Sequence, residues 1–225
     1  MLSRQPDVTP PPTGAPLVRP ALAGDLDVIG RIAYLTGYFG ESASRYFPDE
    51  RLFRHLWVNP YYLVPQQVSV RFVADVPGET LGYIVGVTDQ VAYERALRFT
   101  LLRQVLPNLL RGRYRALPGC VPYLTRISLF PTPHAPRGAY PAHLHLNLLP
   151  EARGLGLGRA LLTAFVDELR ARGVPGVQLS TTAENEAALA LYAKAGFEVL
   201  AERALPVWTP WLGRPATHVL MGLKL

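Results

Sequence analysis

The stretch LPEARGLGLGRALL, Leu149 to Leu162, constrains this chain more than any other, because three glycines alternate with other residues between two apolar segments. Before it, HLHLNLL alternates as a strand does; after it, apolar residues recur at helical spacing, which predicts a helix over Gly156 to Arg172. A glycine-rich turn from strand into helix is a natural anion site. The N–H groups of a first helical turn have no intrahelical partner and carry partial positive charge. Glycines let a phosphate approach that backbone with no Cβ in the way. Two familiar phosphate loops fail on spacing. A Walker loop needs Gly-Lys-Ser/Thr, and Arg159-Ala160 follows Gly158 instead. A dinucleotide fingerprint needs Gly or Ala three residues after its second glycine, where the two possible registers put Arg159 or Leu161.

The surrounding pattern is mixed. A short strand, Leu17 to Arg19, precedes Pro20, and a helix over Asp25 to Thr36 ends near Gly37. A second helix, Asp49 to Trp57, stops before Pro60. Val68 to Ala74 and Leu81 to Thr88 form a hairpin around Pro77-Gly78. Ala92 to Leu110 is helical with a break at Pro107, and Gly112 to Tyr140 reads as loop, with prolines at 118, 122, 131, 133 and 136. Strands follow over Ala142 to Leu148, Val177 to Thr181, Phe197 to Ala204 and Thr217 to Leu225, with a helix over Glu184 to Ala195. The class is α/β (α+β) with a central sheet. Residues 17–225 read as one domain with an insertion at about 90–140, after a Pro-rich, poorly ordered lead-in over residues 1–16.

Composition narrows the function classes. No apolar run is long enough to cross a membrane as a helix, and the N-terminus lacks the apolar centre of a signal peptide, so a cytoplasmic protein is expected. Cys120 is the only cysteine, which excludes an internal disulfide and a thiolate zinc site; no metal is expected. The formal charge of +6 is nearly all arginine, since Lys194 and Lys224 are the only lysines. It favours an anionic partner in general. Without a dense basic run or basic residues interleaved with aromatics, nucleic acid is not indicated.

Arg153, Gly156 and Gly158 spell Arg-x-x-Gly-x-Gly, which resembles the pyrophosphate loop of the GNAT superfamily of acetyl-CoA-dependent N-acetyltransferases. About thirty residues on, ENEAALALYAKAGFEVL is similar to the family's second signature through Asn185, Leu191, Tyr192, Lys194, Gly196 and Phe197. VRPALAGDLDVIGRIAYLTG and LGYIVGVTD resemble its first strand and helix and its third strand. GRIAYLTG, NPYYLV, LGYIVGVTDQVAYE and YPAHLHLNLLPEARGLGLG are also similar to bacterial acetyltransferases related to the acetyltransferase-like domain of O-GlcNAcase.

The resemblance implies the GNAT fold: a mixed twisted sheet of six to seven strands, splayed between strands 4 and 5, with helices on both faces. It implies direct acetyl transfer from acetyl-CoA to a primary amine in a ternary complex, by a monomer or homodimer, with neither nucleic acid nor membrane as partner. Amides from Arg153 through Gly154, Leu155, Gly156, Leu157 and Gly158 to Arg159 would take the pyrophosphate. The backbone of Leu146 and Leu148 would meet the pantetheine arm, with Leu146 N–H facing the developing oxyanion. Tyr192 stands at the position of the family's usual acid for the departing thiolate; it also reads as an aromatic packed on an amphipathic helix. Asn185 would touch the cofactor near its thiol end, or make a local bond at a helix N-terminus. Lys194 would pair with the 3′-phosphate or be a solvated helix-end cation. An amine such as lysine costs roughly 4–5 kcal/mol to neutralise near pH 7, so a base is needed. His143 and His145 lie two apart on one strand face with Asn147 and suit that role. AHLH is similar to the histidine pair of arylalkylamine N-acetyltransferases, although the count to the glycine loop is one residue shorter. Such a slip turns a side chain to the other face unless a bulge absorbs it. A second reading is a non-catalytic acyl-CoA sensor or interaction module that kept the loop and lost the chemistry.

Overall fold

The computed structural model describes residues 17–225; the expected lead-in over residues 1–16 lies outside them. Seven strands form one sheet: β1 Leu17–Pro20, β2 Ser69–Val76, β3 Glu79–Val87, β4 Ala142–Leu148, β5 Gly176–Thr182, β6 Glu198–Leu205 and β7 Ala216–Lys224. Their spatial order is β1-β2-β3-β4-β5-β7-β6. All neighbours are antiparallel except β4 and β5, the two strands joined by a helical crossover. This is the mixed sheet expected, at the upper end of the strand count.

Helices cover both faces. On one lie α1 Leu26–Thr36, α2 Glu50–Trp57 and α3 Asn59–Leu63, then α4 Gln90–Thr100, α5 Leu106–Leu110 and α6 Leu117–Leu129. The apolar sides of all of these but α5 pack with Val73, Tyr83, Val85 and Val87 of the hairpin into a core rich in aromatics. The other face carries α7 Leu157–Ala171 and α8 Glu186–Lys194, packed on Ala74, Ile84, Leu144 and Val177. A last short helix, α9 Thr209–Leu212, precedes β7. No helix among the described residues is long and apolar enough to cross a membrane.

The helix expected over Asp49 to Trp57 does stop before Pro60, which itself occupies the first turn of α3, where a missing N–H costs no helical bond. Two proline readings are corrected. Pro107 does not break its helix, because a π-helical stretch, Leu101–Val105, carries the chain from α4 into α5 with Pro107 in the first turn of the latter. The stretch expected to be loop from Gly112 holds the 13-residue α6, with Pro118 in its first turn and Pro122 inside. Tertiary contacts hold this helix despite the bond Pro122 cannot make: Cys120 is fully buried, and the Arg126 guanidinium donates to the carbonyls of Pro206 and Val207.

Candidate active site

β4 and β5 pair only at Ala142↔Val177 and His143↔Gln178, then diverge. On its other edge β4 stays paired with β3 to Leu148, and Leu149 N–H donates to Leu81 O at 2.8 Å. In an antiparallel ladder, hydrogen-bonded and non-bonded pairs alternate. Counting back from Leu149, the N–H and C=O groups of Leu146 and Leu148 face away from β3, into the gap. The expected splay is present, and the two residues proposed for the pantetheine arm turn their backbone groups toward it. No bulge interrupts the β3–β4 register, so none there absorbs the one-residue difference in the histidine spacing.

At the open end of the gap lies the glycine loop. Gly154 and Gly156 have φ of +79° and +74°, a left-handed backbone that side chains disfavour. Gly156 is the N-cap of α7 and Ala160 N–H bonds its carbonyl. The N–H groups of Gly154 through Arg159 have no hydrogen-bond partner among the described residues. Two left-handed turns leading into a 15-residue helix thus present a row of unpaired donors, which fits a diphosphate. Gly158 has a different reason to be glycine: a Cβ there would stand 3.1 Å from Leu148 Cδ1 and 3.3 Å from Leu191 Cδ2. Between α7 and α8 opens a cavity of about 920 Å³, lined by Leu148, Arg153, Gly154, Gly156, Leu157, Gly158, Arg159, Leu191 and Lys194 among others. Leu155 is exposed and stands outside that lining. Arg153 lines it but donates to the Gly40 carbonyl at 2.8 Å, tying the loop to the segment after α1.

On the far side of β4 lies a cleft of about 330 Å³. Tyr192 borders it, 5% exposed, with burial raising its phenol pKa well above the ordinary value, so the hydroxyl stays protonated. Asn185 borders it too, and its side-chain oxygen accepts from Ala188 N–H at 3.3 Å, capping α8. Both readings of Asn185 therefore have a place, the cap through its oxygen and the cleft through the rest of the amide.

The histidine pair divides. His145 is exposed to the cleft, and the protein around it disfavours its charged form, which lowers its pKa. His143 sits at the closed end, where Nε2 meets the Tyr61 hydroxyl at 2.9 Å and the Tyr93 ring stands edge-on at 4.7 Å between centroids. Burial, with His145 and His134 adding repulsion, pushes the pKa of His143 down to about 3. Asn147 is held in place, donating to Thr36 Oγ1 at 2.8 Å and accepting from the Tyr83 hydroxyl at 3.1 Å.

The His143 shift has a consequence for stability. Between its unfolded pKa near 6.5 and its folded value near 3, the unfolded chain binds a proton that the folded chain refuses. Stability from this residue is complete above pH 6.5 and falls as the solution is acidified toward pH 3. Between pH 8 and pH 5 the expected loss is about 2 kcal/mol. Urea unfolding at both values, with His143→Gln alongside, measures it: the variant should show a pH difference smaller by about that amount, and an equal difference in both proteins would assign the acid sensitivity elsewhere.

Several residues facing the cleft were not singled out in the sequence: Thr182 at the end of β5, Trp208 before α9 and His218 on β7. None sits in a motif, and only the sheet order, which puts β7 beside β5, brings them together. The wall also carries the aromatics Phe39, Tyr46, Phe53, Trp57 and Tyr123, beside the hydroxyl residues Thr132, Ser180 and Thr181. Among the described residues no group of three or more histidine, cysteine or carboxylate side chains is placed to hold a metal ion.

Comparison with known proteins meets the same elements. Residues 125–197 match the model of the Acetyltransferase (GNAT) family. Mycothiol acetyltransferase of Paenarthrobacter aurescens (strain TC1) is 45% identical over 67 residues, covering 28% of this chain and 21% of that protein. The namesake from Beutenbergia cavernae is 49% identical over 59 residues, 26% of this chain and 20% of its own. The chain thus spans about a fifth of the length of these curated relatives. Among solved structures, SsHAT is 28% identical with a TM-score of 0.65, covering 94% of this chain and 98% of its own. YncA of Salmonella typhimurium, a putative acetyltransferase solved with its cofactor acetyl-CoA, shares the fold at 18% identity and a TM-score of 0.57, covering 94% of this chain and 95% of its own.

Proposed function

We propose that this chain, which belongs to the GNAT acetyltransferase family, transfers an acetyl group from acetyl-CoA directly to a primary amine, with residues 17–225 acting as one catalytic unit. The observation that carries the reading is the β4–β5 gap. It joins a row of unpaired amide donors on one side to a cleft containing a protonated phenol and a neutral histidine on the other. The family match and the acetyl-CoA in the Salmonella neighbour support the choice of cofactor.

Acetyl-CoA, when bound, supplies the activated acyl group. The chain's own residues do the rest. Amides of Gly154 through Arg159 hold the diphosphate, with Arg159 and Lys194 adding positive charge along the cavity between α7 and α8. Leu146 and Leu148 offer backbone hydrogen bonds to the extended arm, and Leu146 N–H steadies negative charge on the reacting carbonyl oxygen. His145 takes the amine's proton; its lowered pKa keeps it in the base form at neutral pH. Tyr192 donates its hydroxyl proton to the departing sulfur. Asn185 orients that end of the arm. His143, bonded to Tyr61, fixes the strand beneath His145. The insertion at about 90–140 shapes the acceptor side, since Tyr123 from α6 and Thr132 after it reach the cleft.

The test is release of free thiol from acetyl-CoA with a panel of primary amines, alongside calorimetric titration of coenzyme A. Amine-dependent release with saturable coenzyme A binding is the expected result. Binding without release across a broad panel would favour the sensor reading, and no binding at millimolar coenzyme A would end both.

A further inference from the structure

We infer that the acceptor carries an oxygen function beside its amine, on an apolar or aromatic body, and that Thr182 Oγ1, Trp208 Nε1 and His218 Nε2 bind that oxygen. The inference rests on the acetyl-transfer reading above and specifies its acceptor. These three polar atoms are buried and have no hydrogen-bond partner among the described residues. Their residues are 6%, 7% and 6% exposed, and all three line the cleft. Folded proteins leave few buried polar atoms unpaired. Three in one cleft wall point to a group that arrives with the ligand.

Their chemistry restricts that group. The indole N–H only donates, so it requires an acceptor atom. A threonine hydroxyl and a neutral imidazole can each give or take, so they complete either a carbonyl or a hydroxyl. Thr182 and His218 are direct partners across the β5–β7 ladder and therefore share a face. Trp208 is held against that face by its neighbours, with ring centroids 4.9 Å from Tyr46 and 5.0 Å from Phe39, and by Arg126 bonding the carbonyls just before it.

The rest of the wall restricts the body of the acceptor. It includes Phe39, Tyr46, Phe53, Trp57 and Tyr123 beside the uncharged Thr132, Ser180 and Thr181, and no Asp, Glu, Lys or Arg is among its lining residues in the described part of the chain. A polyamine or a lysine-rich tail would bring several further charges, whereas the carboxylate whose charge reaches His218, Glu184, already pairs with Arg214. An apolar or aromatic amine with one carbonyl or hydroxyl meets every demand. Its oxygen sits between β5, β7 and Trp208 while the amine reaches back to the β4–β5 gap.

The experiment compares 2-phenylethylamine with phenylalaninamide, which share a body but differ by a carboxamide beside the amine, by thiol release at saturating acetyl-CoA. One to two net hydrogen bonds predict a kcat/KM ratio of about ten- to a hundredfold in favour of the amide. Trp208→Phe and Thr182→Val should each lower that ratio toward one. The two amines differ in basicity, but that difference is the same for every enzyme variant, so the change in ratio isolates the contact. Circular dichroism establishes that each variant is folded, and Thr182→Val carries the test if Trp208→Phe is not. A wild-type ratio near one, or variants that slow both amines alike, overturns this inference and leaves acetyl transfer standing. Release with neither amine nor any other of the panel overturns both.

Discussion

Tyr192→Phe should lower kcat by about 10²- to 10⁴-fold, the usual range for losing a positioned proton donor, while the KM for acetyl-CoA changes little. The hydroxyl is the only group removed. The ring remains in its core, 5.5 Å between centroids from Phe197, so the fold has no reason to respond. Because burial raises the phenol's pKa, wild-type Tyr192 is protonated throughout the neutral range and can give its proton to a thiolate as the sulfur departs. Steady-state kinetics with one good amine acceptor, plus a thermal melt, decide it. A kcat within about threefold of wild type, on a folded variant, would remove Tyr192 from the proton path and leave it a packing residue.

Gly156→Val should weaken coenzyme A binding by about 10- to 100-fold, the size of losing one or two net charge-assisted hydrogen bonds. Gly156 holds φ +74° as the residue that starts α7, and there is open space where a Cβ would stand. A Cβ there meets no atom of the described residues within 4 Å. It strains the backbone by about 1–2 kcal/mol and occupies the approach to the unpaired amides. Titration with coenzyme A and with pantetheine separates the two ends of the ligand. The variant should lose affinity for coenzyme A yet match wild type with pantetheine, which lacks the diphosphate. Equal affinity for coenzyme A in both proteins would move the diphosphate away from this loop.

Legibility in the sequence followed the range over which each feature is determined. β4 was predicted at its observed limits, and α7 to within one residue of each end, because alternation, a helical apolar stripe and a glycine N-cap are all local signals. Asn185 was legible as a helix-start residue for the same reason. Helix α6 was hidden, since Pro118 and Pro122 argue against a helix locally, and what stabilises it, buried Cys120 and the Arg126 anchor, comes from distant chain. Thr182, Trp208 and His218 were hidden in another way. Each is ordinary where it stands, and they share a wall only because β7 inserts between β5 and β6. The histidine pair lies between these cases: its shared strand face was readable, but its division into a cleft residue and one bonded to Tyr61 depends on α3.

Two residue pairs hold β4 to β5, so the sheet is mechanically two leaves, one of four strands and one of three, on a short spine. The spine has a clasp: buried Gln178 accepts from Ala135 N–H at 2.8 Å and donates to Tyr140 O at 2.7 Å, so the Pro-rich segment before β4 buckles the leaves at their base. Above that buckle the rungs are missing. An extended guest laid between the leaves, as proposed above, would supply them, and the chain would then be most tightly stitched when loaded and loosest just after it lets go. Each round of chemistry would then unpick and resew the middle of the protein.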